Sequence, residues 1–157
     1  MKHFFSLFLI AGIFSCSTPS KEVATTPEST GYDPALAAEV GADQYGMRQY
    51  VFAYLKKGPN RDLPKEEADQ LQRAHLDNIT RLAEEGKLIL AGPFMDDTDI
   101  RGIYIFAVES LEEAEKLAAS DPAIQAGSLA MELHPWYGSA ALMKVNEMHV
   151  KVAKEGI

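Results

Sequence analysis

Between residues 47 and 136 the hydrophobic pattern switches repeatedly between strand-like and helix-like stretches, and the order of the switches admits few folds. Residues 47–56 are nearly all apolar or aromatic from Tyr50 to Leu55, and Lys57-Gly58-Pro59-Asn60 breaks the run. A long helix is expected over residues 64–85. Pro64 suits a first turn, Glu66 and Glu67 complement the N-terminal dipole, and Gly86 is a good residue just past the end. Residues 87–95 and 101–109 read as two strands joined by the turn Asp96-Asp97-Thr98-Asp99, hence a hairpin. Ser110-Leu111-Glu112-Glu113 is a capping box opening a helix that ends near Ser120. Asp121-Pro122 starts a new turn, and residues 128–136 form the fourth strand. A last amphipathic helix over residues 139–154 carries Leu142, Val145, Met148 and Val152 on one face.

Strand, helix, strand, strand, helix, strand is the order of an α+β, ferredoxin-like split sheet (βαββαβ) with both helices on one side. The other side of such a sheet is bare. Yet the first and third strands are apolar at odd and even positions alike, which implies cover on both faces. A second copy of the domain is the economical cover, giving a homodimer, and the C-terminal helix is the competing one.

The chain ahead of this unit has a different character. Lys2 gives a short basic start, and Phe4 to Phe14 is an apolar run of eleven residues. Spanning ~30 Å of hydrocarbon takes about 20 residues, so the run has the length of a signal-peptide core and not of a membrane span. Ile13-Phe14-Ser15-Cys16 resembles a lipobox with a bulky spacer residue, which makes residues 1–15 a lipoprotein signal peptide and Cys16 the lipidated N-terminus. The alternative is an ordinary cleaved signal with Cys16 as an incidental thiol. Residues 16–43 are rich in Ser, Thr, Pro, Glu and Gly, a composition too poor in large apolar groups to offset its ordering entropy. They read as a flexible tether with at most a short transient helix from Asp33 to Glu39, and residues 44–157 as the domain. The protein is thus expected in the cell envelope, anchored to a membrane through lipid.

Charge and cysteine count close off other classes. The formal net charge is −8, and −9 without residues 1–15, so no basic stripe is available for nucleic acid or anionic lipid. With one cysteine there is no intrachain disulfide and no Cys-based zinc site. His149 falls in the terminal helix and His3 in the signal, so a three-His metal centre has no support, and no metal or cofactor is expected.

The residue that carries chemistry is His75. Leu71, Ile79 and Leu82 share its helix face, which points the imidazole toward the sheet. An imidazole titrates near neutrality and is the usual group for moving protons there. Position alone equally allows a core histidine satisfied by a backbone carbonyl.

Arg73-Ala74-His75-Leu76, Gly86-Lys87-Leu88, Ala91-Gly92-Pro93, Ser110 to Ala114, Asp121-Pro122 and Pro135-Trp136 together resemble the landmarks of the YciI-like (YCII-related) family. The resemblance spans nearly all of residues 47–137. It implies the dimeric α+β barrel fold type, and a His–Asp pair acting on aromatic or lactone-like small molecules in some members. Carried over by position, the pair is His75 and Asp121. Asp before Pro at a helix start is also an ordinary N-cap. The resulting expectation is a cofactor-independent isomerase or lyase with His75 as general acid/base, the alternative being a small-molecule-binding lipoprotein module without turnover. Gly92, Pro93 and Trp136 are the remaining pocket candidates. Glu132, His134 and Trp136 alternate on one face of the last strand, opposite Leu129, Met131 and Leu133.

Overall fold

The structure, a computed structural model, describes residues 31–156. The expected signal peptide, the expected lipidation site Cys16 and the part of the expected tether up to residue 30 lie outside the described residues. Among the described residues no helix is long and apolar enough to cross a membrane.

Helix α1 (Pro34–Glu39) leads into β1 (Met47–Lys57), followed by α2 (Lys65–Glu84), β2 (Leu88–Pro93) and β3 (Ile100–Phe106). Then come α3 (Leu111–Ala119), the single turn α4 (Pro122–Gln125), β4 (Leu129–Ser139), a 3-10 turn (Ala140–Lys144) and α5 (Val145–Val152). The strands form one sheet in the order β2-β3-β1-β4, every neighbouring pair antiparallel. β1 and β2 therefore run parallel with β3 between them, which is the split arrangement of the ferredoxin-like α+β fold.

Local signals explain most boundaries. Gly86, at φ 67°, ends α2 by donating to Ala83 O while Lys87 donates to Leu82 O, the paired bonds of a Schellman cap. At the other end Pro64 is extended (φ −52°, ψ 145°), so it caps α2 from outside instead of opening its first turn. Only half of the expected capping box at α3 is made. Ser110 Oγ accepts from the Glu113 amide, but the Glu113 carboxylate turns away to Lys87 Nζ at 2.8 Å. A full charge on Lys87 outcompetes a backbone amide for that carboxylate.

Three expectations are corrected. Residues 33–43 are not tether: Asp33 caps α1, Val40 is buried and Arg48 donates to its carbonyl, and the compact unit starts at Asp33. The fourth strand continues past Trp136, pairing Tyr137, Gly138 and Ser139 with Gln49, Arg48 and Met47. The terminal helix is consequently not continuous over residues 139–154. Ser139 Oγ accepts from the Ala141 amide and sets up a 3-10 turn before α5 begins. Of its expected apolar stripe only Leu142 and Val145 pack, while Met148 and Val152 stay exposed.

Each face of the sheet has its own core. On one, Val51, Ala53, Leu55, Tyr104 and Phe106 meet Ile79 and Leu82 of α2 and Ala114 of α3. Leu129, Met131 and Leu133 of β4 join them, so the alternation read in that strand holds. On the other, Leu142, Met143 and Val145 cover Tyr50, Ile89 and Ile105. The C-terminal segment thus covers part of the second face, and Phe52, Tyr54, His134 and Trp136 line an open hollow beside it.

Candidate functional site

α2 presents a row of side chains at helical spacing to the sheet: Leu71, His75, Ile79 and Leu82. His75 is buried, with 8% of its surface exposed, and its ring faces Tyr104 of β3. On its far side the chain turns from α3 into α4, and that turn places Asp121, fully buried, against the imidazole. His75 Nδ1 lies 2.9 and 2.8 Å from the two carboxylate oxygens of Asp121.

The capping and pairing roles of Asp121 turn out to coexist. Oδ1 accepts the Ala123 amide of α4 at 2.9 Å while the same carboxylate holds His75. A carboxylate with no solvent contact needs such partners, because an unpaired buried charge is costly. With Nδ1 as the donor to Asp121, the lone pair sits on Nε2, the atom a base uses.

Tyr104 completes the cluster and was not singled out by sequence. Its hydroxyl is 3.3 Å from Asp121 Oδ2 and 3.4 Å from His75 Nε2, both long for a hydroxyl bond. Burial first, then the Asp121 carboxylate, pushes the Tyr104 phenol well above its ordinary range, so it stays a neutral donor. The sequence signal was faint: one phenol in the apolar run Ile103-Tyr104-Ile105-Phe106, whose buried hydroxyl requires a partner.

His75 and Tyr104 open onto a groove of about 1060 Å³ between α2 and the edge strand β2. Gly92 and Pro93 line it. At Gly92 no atom lies within 4 Å of where a Cβ would stand, so the backbone borders open space there. Trp136 does not line this groove. Its ring lies across Gly138 on the opposite sheet face, near Tyr50 and Phe52, because β4 residues of its parity point away from α2. Arg61, Gln72 and Ser128 are polar lining residues that sequence reading passed over. No group of His, Cys, Asp and Glu able to hold a metal ion occurs among the described residues.

Fold and site together describe a split α+β domain with a buried His–Asp pair at the side of an apolar groove. The YCII-related domain matches residues 47–137, more than half of the chain, and the chain belongs to that family. The uncharacterized protein YjpA of Bacillus subtilis (strain 168) is 36% identical over 62 residues, 40% of this chain and 71% of YjpA. Among solved structures, 5-chloro-2-hydroxyhydroquinone dehydrochlorinase (TftG) from Burkholderia phenoliruptrix AC1100, in complex with 2,5-dihydroxybenzoquinone, is 26% identical. That match covers 55% of this chain and 92% of TftG, with a TM-score of 0.41.

Proposed function

We propose that this protein is a cofactor-independent enzyme of the isomerase or lyase type, in which His75 moves a proton on a small organic molecule. The observation that carries the reading is the contact of a buried imidazole with a fully buried carboxylate beside a groove wide enough for a ligand. Asp121 fixes the ring and stabilises the imidazolium formed during the reaction. Nε2 takes a proton from a substrate C–H bond. The electron pair left behind either shifts a double bond, after which the proton is returned at another carbon, or expels a leaving group. Tyr104 stays protonated and donates to the carboxylate, keeping its charge in place.

The test is turnover of a panel of lactones, hydroxyquinols and halogenated phenols by the wild type and His75→Ala. A bell-shaped or sigmoid pH–rate profile that vanishes in His75→Ala supports the enzyme. Ligand-induced thermal stabilisation with turnover at background throughout the panel makes the protein a binding module instead.

Two features of setting belong to the same proposal. The lipobox-like Ile13-Phe14-Ser15-Cys16 supports a lipoprotein held at the cell envelope, and mass spectrometry of the mature N-terminus tests it by the mass of acyl chains on Cys16. The aromatic hollow of Phe52, Tyr54 and Trp136, left open by the C-terminal segment, supports a homodimer through that sheet face. Light scattering of the wild type against Phe52→Glu reads this directly.

A further inference from the structure

The groove is far longer than a proton transfer requires. Its α2 wall runs from Ala68 to Glu84, sixteen residue steps, or roughly 24 Å at 1.5 Å per residue. Its volume of about 1060 Å³ lies just above the ~300–1,000 Å³ typical for drug-sized ligands. His75 stands near the middle of that wall, so much of the groove lies beyond it, past Ile79 and Ala83.

This far arm is lined mainly by apolar side chains, among them Ile79, Ala83, Val145 and Val150, with Asn146 and His149 between them, and one side of it is the chain's own C-terminal extension. The YCII-related match ends at residue 137, whereas Val145, Asn146, His149, Val150 and Ala153 all line the groove. The extension is pinned where it starts. Leu142, Met143 and Val145 pack on the sheet, and Asn146 Nδ2 donates to Leu88 O at 2.9 Å. Past Asn146 it is held loosely, with Val150 72% exposed while bordering the groove.

The two ends differ in charge. At the end nearer Asp121, Arg61 lines the groove and donates to Ser128 O on the loop following α4, with no carboxylate partner among the described residues. Away from Arg61, Glu84, Lys154 and Glu155 line the groove, a mixed set of charges. A guanidinium paired with no acid among the described residues, in a chain of net charge −8, is a fit for an anionic head.

We infer that the groove takes an elongated amphiphile: an acidic head at Arg61, the reacting carbon at His75, and an apolar tail lying along the C-terminal extension. This rests on the proposed reaction only for the placement of the reacting carbon; the binding claim stands apart from it. The extension then selects ligands by tail length, since each methylene laid on apolar wall contributes to affinity.

Calorimetric titration of the full chain with hexanoate, octanoate, decanoate and dodecanoate tests it. Affinity is expected to rise about 2–3-fold per methylene, a partial share of the ~4-fold for full burial. Val150→Glu should erase the gain over the last methylenes, and Arg61→Gln should weaken all four acids by a similar factor, about 5–10-fold. Affinity independent of chain length, or dodecyltrimethylammonium binding as tightly as dodecanoate, overturns the inference. So does dodecanoate binding that merely competes with self-association, which would make a second copy the occupant. Binding without any His75-dependent turnover sinks the reaction and leaves the amphiphile site, whereas turnover with no chain-length effect does the reverse.

Discussion

His75 and Asp121, 46 residues apart in sequence, meet with Nδ1 at 2.8 and 2.9 Å from the two carboxylate oxygens. The geometry follows from two helix ends and one helix face: α2 turns residue 75 inward, and the break between α3 and α4 delivers residue 121. The carboxylate is spoken for three times, by the imidazole, the Ala123 amide and, at longer range, the Tyr104 hydroxyl.

Substitutions at Asp121 should separate its two roles. Asp121→Asn retains an oxygen for the Ala123 amide but removes the charge that fixes the ring. Turnover should fall by on the order of 10³–10⁴ while the thermal midpoint moves little. Asp121→Ala also loses the cap and buried bonds and should cost about 2–4 kcal/mol, read by urea denaturation.

His75→Leu asks whether the imidazole is merely filler. It leaves Asp121 buried with its charge unpaired, and should destabilise the fold by about 3 kcal/mol. An increase in stability would mark the histidine as a packing residue.

Tyr104 gives a pH prediction with a definite sign. Its phenol is held protonated in the folded state, so the stability it confers is whole below the ordinary value of 10.0. That contribution drains away as pH rises from there toward the raised folded value. Denaturation midpoints from pH 9 to pH 11 should fall more steeply for the wild type than for Tyr104→Phe, and spectrophotometric titration should show one more tyrosine resisting ionisation in the folded wild type than in that variant.

At the acid end the informative group is Asp43. The Tyr137 hydroxyl first, then the Met47 amide, holds its carboxyl below its ordinary value of 3.8. A lowered folded value means stabilisation present above 3.8 and lost as pH falls through the folded value. The acid unfolding of Tyr137→Phe should therefore depend less steeply on pH than that of the wild type, with a small amplitude because both groups are exposed.

Close backbone approach beside the groove predicts intolerance at Gly102. A Cβ there would stand 2.6 Å from the Gly92 carbonyl oxygen of the paired strand, and neither backbone can yield freely. Gly102→Ala should lower stability by about 1–3 kcal/mol and narrow the groove, measured as weaker ligand-induced stabilisation.

The four strands, the two long helices and the inward histidine were legible because hydrophobic period and caps are local. Gly86 closing α2 and Ser110 opening α3 are read within a few residues. What escaped depends on partners distant in sequence. Glu113 reaches Lys87 instead of its own helix end, Trp136 lies on the sheet face away from the groove, and β4 runs on because Met47 to Gln49 offer it a partner. Tyr104 was hidden in an apolar run whose face only the pairing with β1 and β2 decides. Residues 33–43 looked too poor in large apolar groups to be more than tether, yet Val40 and the Arg48 side chain tie them down.

The central claim is that Asp121 holds His75 with Nε2 as its working nitrogen. Long-range ¹H–¹⁵N correlation spectra of the imidazole across a pH titration test it without any substrate in hand. Nδ1 is expected to carry the proton, donated to Asp121, leaving the lone pair on Nε2. A neutral ring with Nδ1 bare and the proton on Nε2 would contradict it.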